Sequence, residues 1–186
     1  MTEKSPPVLQ LVQLVHYRWA LPILAELHRD DGAKFVTLVQ RLGVSRDSLS
    51  RTLEVLIEQG WVTRNPGYGH PLRPEYLLTP EGMLLGPGAL ELMKALRPAK
   101  LEEVALRKWS LPVLYALGQG AKRFSELLAA LPGTTSRALT LALADLEGAG
   151  LVRREVRDTR PPRTAYRLNP EGERLAGKLE GLVGGG

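Results

Sequence analysis

The chain has 186 residues, 44% hydrophobic and 24% charged, which is the composition of an ordinary globular protein with room for one large or two small domains. It has no cysteine, which excludes disulfides, thiolate nucleophiles and cysteine-ligated metal. No apolar run approaches the roughly 18 residues of a membrane span. The formal net charge of +5 and pI near 9.7 point to a polyanionic partner.

The N-terminus carries Lys4 but no apolar run of signal-peptide length before His16 and Arg18, so the expected location is cytoplasmic. Val8 to Leu27 has the apolar period of a helix, and Pro22 inside it should kink or divide it. Asp30-Asp31-Gly32 reads as a turn, and Lys34 to Leu42 as a second helix closed by Gly43. Ser45 is a good N-cap for a third helix, with Asp47 in its first turn. Leu49, Leu53, Leu56 and Ile57 form its expected buried stripe, and Arg46, Ser50, Arg51 and Glu54 its polar face. Trp61-Val62-Thr63 and Glu75 to Leu78 read as two strands around a glycine-rich tip. Pro80 then opens a helix that Gly86-Pro87-Gly88 should interrupt before it resumes from Ala89 to Leu96. Arg97-Pro98-Ala99-Lys100 is a short junction, too short for a flexible linker.

After the junction the chain repeats itself. Tyr17 to Leu24 matches Arg107 to Leu114 at an offset of 90, and Phe35, Leu38 and Leu42 match Phe124, Leu127 and Leu131 at 89. Leu49, Leu53, Leu56 and Gly60 match Leu139, Leu143, Leu146 and Gly150 at 90. Pro71, Arg73, Tyr76, Pro80 and Gly82 match Pro161, Arg163, Tyr166, Pro170 and Gly172 at the same offset. A single one-residue shift over so many positions means a duplicated unit. The expected domains are 1–97 and 98–186. The second copy has Thr135 as N-cap of its third helix and ends in a helix from Pro170 to about Val183. The charge is uneven: residues 1–97 hold 11 Lys+Arg against 10 Asp+Glu, and residues 98–186 hold 14 against 10.

The stretch from Arg107 to Gly172 resembles the winged-helix domain of the HxlR family of bacterial transcriptional regulators. Lys108-Trp109 opens the first helix and Lys122-Arg123-Phe124-Ser125-Glu126-Leu127 the second. Leu131-Pro132-Gly133 forms the turn, and Leu139, Leu143 and Leu146 bury the third helix. Gly150-Leu151-Val152-Arg153-Arg154 starts the first wing strand, and Pro161-Pro162-Arg163 with Tyr166 forms the second. This chain departs from the family in lacking a cysteine before the first helix and in carrying Leu141 and Ala142 on the third. The fold expected from pattern and resemblance is mainly α with small β-wings, as two tandem winged helix-turn-helix domains.

On that plan the expected DNA contacts lie on the two third helices and the wings. The first helix offers Ser45, Arg46, Ser50 and Arg51; the second offers Thr135, Ser136, Arg137 and Thr140, with Leu141 and Ala144 on the same face. The first wing adds Arg64 and Arg73, and the second adds Arg153, Arg154, Arg157, Arg160 and Arg163. Arginine suits this work because its planar fork bonds two acceptors at once; the excess of Arg over Lys in the whole chain, 18 to 7, also fits a compositional bias, whereas six arginines between 153 and 167 exceed what solubility requires.

Trp19 and Trp109 read as packing residues. The three histidines lack metal-ligand spacing, and the scattered carboxylates suggest no nucleophile–base pair, so neither cofactor nor enzyme activity is expected. The resemblance implies a regulator of double-stranded DNA, acting in the cytoplasm at the nucleoid. Since the family binds as dimers, the fusion implies a pseudo-dimer within one chain, with half-sites about 34–36 Å apart. Self-association and contact with the transcription machinery remain open. The rival reading is a tandem winged-helix protein-interaction module of a chromosome-organising or transcription-machinery subunit.

Overall fold

The computed structural model describes residues 6–65, 75–157 and 163–184. Helix α1 spans Pro7–Leu14, with proline in its first turn and Leu11 and Leu14 fully buried. The chain leaves the helix at Val15 and re-enters it at α2, Ala20–Arg29. The expected single helix from Val8 to Leu27 is therefore two, and Pro22 is not the break. Pro22 is the third residue of α2, where a backbone donor would have no intrahelical partner.

A two-residue strand, β1 (Ala33–Lys34), leads into α3 (Phe35–Leu42). Gly43 ends α3 in the left-handed region at φ 61°, its N–H bonded to the Val39 carbonyl at 3.0 Å. Helix α4 spans Arg46–Glu58 and buries Leu49, Leu53 and Leu56. Ile57, expected in that stripe, is 38% exposed, because it falls on the edge of the helix that turns to water. Strands β2 (Val62–Asn65) and β3 (Glu75–Leu78) follow, with Trp61 outside the ladder, and then α5 (Pro80–Leu96).

The second repeat has the same order without the short strand. It comprises α6 (Glu102–Ala105), α7 (Ser110–Gly118), α8 (Phe124–Ala130), α9 (Ser136–Gly148), β4 (Val152–Arg157), β5 (Arg163–Leu168) and α10 (Pro170–Gly184). Pro112 is again the third residue of its helix. The first sheet is antiparallel in the order β1-β3-β2, with Ala33 opposite Tyr76 and Val62 opposite Leu78. The second is the hairpin β4-β5, with Val152 opposite Leu168 and Arg157 opposite Arg163. Where β1 would stand, a single bond from the Tyr166 N–H to the Lys122 carbonyl, 2.7 Å, does its work.

In both copies the residue after the wing ties the wing to the end of the third helix. Thr79 donates its N–H to Trp61 O (3.1 Å) and its hydroxyl to Gly60 O (2.5 Å). Asn169 repeats this with its N–H on Leu151 O and its amide on Gly150 O, both 2.9 Å.

Helix α5 runs without a break through Gly86-Pro87-Gly88, contrary to the sequence expectation. Pro87 removes one donor on the exposed side of the helix, and packing outweighs that loss. The glycines serve close approach. A Cβ on Gly86 would lie 2.8 Å from the His28 side chain on α2, and one on Gly88 would lie 2.9 Å from Leu182 Cα on α10. Helix α5 thus packs on its own repeat with one face and on the other repeat with the next. Helix α1 crosses to the second repeat and packs against α7 and α10. Both repeats share one continuous buried cluster, including Leu24, Leu53, Leu92, Leu114, Leu143 and Leu179.

Candidate nucleic-acid interface

Each repeat presents the first turns of a capped helix at its surface. Ser45 is extended (φ −65°, ψ 148°) and its Oγ accepts the Ser48 N–H at 3.3 Å. Thr135 is extended likewise and its Oγ1 accepts the Ala138 N–H at 3.2 Å. These bonds fix where each helix starts and hold its first turn outward.

On α4, Ser45, Arg46 and Arg51 are exposed and Ser50 is half-buried. Asp47 and Glu54 are exposed on the same arc, so this face is mixed in sign. On α9, Thr135, Ser136, Arg137, Thr140 and Ala144 are exposed, and Leu141 is 58% exposed. Ala142, grouped with Leu141 in the sequence, is only 6% exposed and faces the core. The α9 face is therefore small, polar and apolar, with a single cation in its first two turns. Thr140 donates its hydroxyl back to the Ser136 carbonyl at 2.8 Å, leaving its methyl and lone pairs outward-facing.

Ion pairing sorts the arginines. Arg46, Arg51, Arg64, Arg137 and Arg154 are exposed and form no ion pair with any described residue. Arg153 and Arg167 sit directly opposite each other on the second wing. Both donate to Glu155, at 3.1 and 2.6 Å, and Arg153 also reaches the Asn169 side chain at 3.4 Å. Hydrogen bonds first from Arg153, then from Arg167, hold the Glu155 carboxyl below the usual carboxylate range. The other face of the ribbon carries Arg154 and the exposed Val156. Arg157 and Arg163 are the last register pair, while Arg73 and Arg160 lie outside the described residues.

One feature near these helices has a faint sequence signal. Glu26 lies in the apolar run of α2 yet is 3% exposed. It is ringed by Arg29 (2.5 Å), Arg97 (3.5 Å) and Arg41 (3.7 Å). Its ligands are scattered along the chain, which hid the cluster; the carboxylate within an apolar stripe was the available clue. Among the described residues no group of three or more His, Cys, Asp or Glu could hold a metal ion, and no helix is long and apolar enough to cross a membrane.

Comparison with known proteins agrees with this architecture. Residues 104–184 match the HxlR-like helix-turn-helix family, and residues 18–70 match the MarR family. An uncharacterized HTH-type transcriptional regulator of Synechocystis is 43% identical over 68 residues, 37% of this chain and 50% of that protein. The regulator YvaP of Bacillus subtilis, also uncharacterized, is 36% identical over 77 residues, 41% of this chain and 71% of that protein. A solved MarR-family transcriptional regulator from Enterococcus faecalis is 40% identical, covering 48% of this chain and 80% of its own, with a TM-score of 0.42. The chain spans about half the length of the Synechocystis relative. The chain belongs to the HxlR-like helix-turn-helix family.

Proposed function

We propose that the chain is a transcriptional regulator that binds double-stranded DNA with two winged-helix domains, 1–97 and 98–186, acting as the two halves of a dimer fused into one. The observation that carries this reading is the set of guanidiniums without an ion pair to any described residue on the exposed early turns of α4 and α9 and on both wings, Arg46, Arg51, Arg137, Arg64 and Arg154. Exposed cationic side chains on an outward helix flanked by a ribbon suit a major groove with phosphates on either side. Named regulators among the relatives support it.

The division of labour follows from chemistry. Arg46, Arg51 and Arg137 suit guanine edges or phosphates, and Ser45, Ser50, Thr135, Ser136 and Thr140 suit phosphate oxygens or base edges. Leu141 suits a thymine methyl. Arg64, Arg154, Arg157 and Arg163 on the wings suit the backbone, while Arg153 is shared with Glu155.

Selection of bound sequences from a random duplex library tests the reading. The expected result is an enriched motif with two unlike halves about one helical turn apart. Failure to enrich any sequence, with duplex affinity no better than non-specific, overturns it.

A further inference from the structure

The first half of α5 presents an apolar face to solvent. Met83 and Leu84 are 57% and 58% exposed, and Pro87 is exposed beside them. Pro87 stands four residues after Met83 and three after Leu84, so the three side chains adjoin on one helix surface. Met83 also borders a notch of about 240 Å³ between α2, β3 and α5, walled by Leu27, Leu77 and Leu78 with His28 and Asp31. The notch is smaller than the roughly 300–1,000 Å³ of small-molecule sites and suits a protruding side chain.

The second repeat shows that the fold does not require this face. At the matching positions of α10 stand Glu173, Arg174 and Gly177, and Arg167 takes the place of Leu77. Arg174 pairs with Glu171 at 2.5 Å, and Arg167 with Glu155 at 2.6 Å. One helix surface is thus charged in one copy and apolar in the other. Apolar residues scattered singly on a surface are ordinary, whereas adjoining ones mark a contact surface.

The rim of the face is acidic. Asp31 lines the notch, where no Lys or Arg does. Glu81 lies one turn before Leu84, and Glu91 one turn after Pro87. Glu91 is engaged by Lys94 at 2.9 Å and Lys178 at 3.7 Å. Asp31 and Glu81 are exposed and form no ion pair with any described residue. These charges stand out in a chain of net charge +5. They repel phosphates, which argues against DNA at this face. They also argue against a second copy, because a two-fold contact would set Asp31 and Glu81 near their own counterparts.

We propose that this face of α5 docks an amphipathic helix of another protein, with lysine or arginine flanking an apolar stripe. The stripe covers Met83, Leu84 and Pro87 and puts one side chain into the notch, while its cations face Asp31 and Glu81. The face adjoins the C-terminal end of α4, since Thr79 bonds the Gly60 carbonyl and Gly82 lies against the Trp61 carbonyl with no room for a Cβ. The capped first turn is at the other end of that 13-residue helix, so a partner here leaves it free. The proposal stands whether or not α4 reads DNA.

The probe is a synthetic peptide with Leu at i, i+3, i+4 and i+7 and Lys between, titrated against the full chain by fluorescence anisotropy. The expected result is saturable binding. A peptide of the same composition with its leucines spread around the helix should bind at least tenfold more weakly, and so should one with Glu in place of Lys. Met83→Glu with Leu84→Arg gives α5 the residues of α10 and should weaken the peptide about tenfold or more. Both positions are exposed, so this variant should melt as the wild type does. Asp31→Asn with Glu81→Gln keeps the apolar contacts and should weaken the peptide about threefold or more. Leu141→Gln, at an equally exposed leucine on α9, should leave peptide binding unchanged. The proposal is overturned by absence of saturation, by equal binding of the rearranged or acidic peptide, or by unchanged affinity in either double variant. Equal loss in Leu141→Gln would also sink it. In sedimentation velocity the chain should keep one mass as its concentration rises. Self-association that Met83→Glu with Leu84→Arg abolishes would overturn the proposal and assign the face to a second copy.

Discussion

Gly88→Ala tests the contact that holds the two repeats together. Its Cβ would lie 2.9 Å from both Leu182 Cα and Leu182 Cδ1, where ordinary contact begins at 3.4 Å. The deficit against the backbone atom is at least 0.5 Å, the difference of those two values, so α5 and α10 must part. Forcing a methyl into such a contact costs about 1–3 kcal/mol. Helix propensity works the other way, since alanine is favoured over glycine by about 0.8–1.0 kcal/mol in a helix interior. Gly177→Ala separates the two effects. Gly177 is also within a helix, α10, but an added Cβ meets nothing within 4 Å. It should gain the propensity term alone. The two variants should therefore differ by the steric cost, about 1–3 kcal/mol, with Gly88→Ala the less stable. Urea denaturation followed by circular dichroism reads this as midpoints roughly 1 M apart for a slope near 2 kcal/mol per molar. Equal midpoints would mean that the helices do not meet backbone to side chain at this point, and the fixed docking of the repeats would fall with them.

Arg46→Ala with Arg51→Ala should weaken specific duplex binding by about 1–3 kcal/mol per base-reading arginine and relax the preferred sequence, measured by fluorescence anisotropy on selected and scrambled duplexes. Glu155→Gln should release Arg153 and Arg167 for phosphates; affinity for any duplex should rise and the log–log salt slope steepen by roughly 0.9 per added contact, whereas an unchanged slope would show that this face of the wing stays off the backbone. Glu126 accepts the N–H groups of Lys122 and Arg123 at 2.8 and 2.9 Å, which hold its carboxyl below the usual range. A depressed folded value stabilises the protein above the unfolded value and stops doing so as pH falls through the folded one, so Glu126→Gln should lower stability at neutral pH and make its loss on acidification shallower in urea titrations.

The repeat, the third helices and the wings were legible because each has a local signal. Ser45 and Thr135 announce helix starts through hydroxyl caps, and the Leu49-Leu53-Leu56 and Leu139-Leu143-Leu146 stripes announce buried faces. What was misread depends on partners distant in sequence. Gly86 and Gly88 look like helix breakers from their neighbours alone, but each one faces another helix, at His28 and Leu182. Pro22 looks like a kink until the chain is seen to begin a new helix two residues earlier. The engagement of Arg153 and Arg167 by Glu155 depends on the cross-strand register, and composition alone counts all the wing arginines as free.

The two repeats differ in a way that bears on how they would read a duplex. Contact positions change together between the copies: half-buried His28 over Gly86 in the first becomes Gly118 over Ala176 in the second, a large-and-small pair exchanged for two small ones. Such exchanges keep the crossing of α2 on α5 and of α7 on α10 while the surfaces drift. The outward arcs have drifted furthest. Arg46, Asp47, Arg51 and Glu54 on α4 stand where Ser136, Arg137, Leu141 and Ala144 stand on α9. A dimer of identical subunits puts the same face on each half-site, and its best operator is a palindrome. One chain with a charged face and a nearly uncharged one has no such constraint. If both helices enter the groove, the charged face should favour a half-site with guanines and the other a half-site with thymine methyls, so the preferred duplex has a direction and the chain binds it in one orientation.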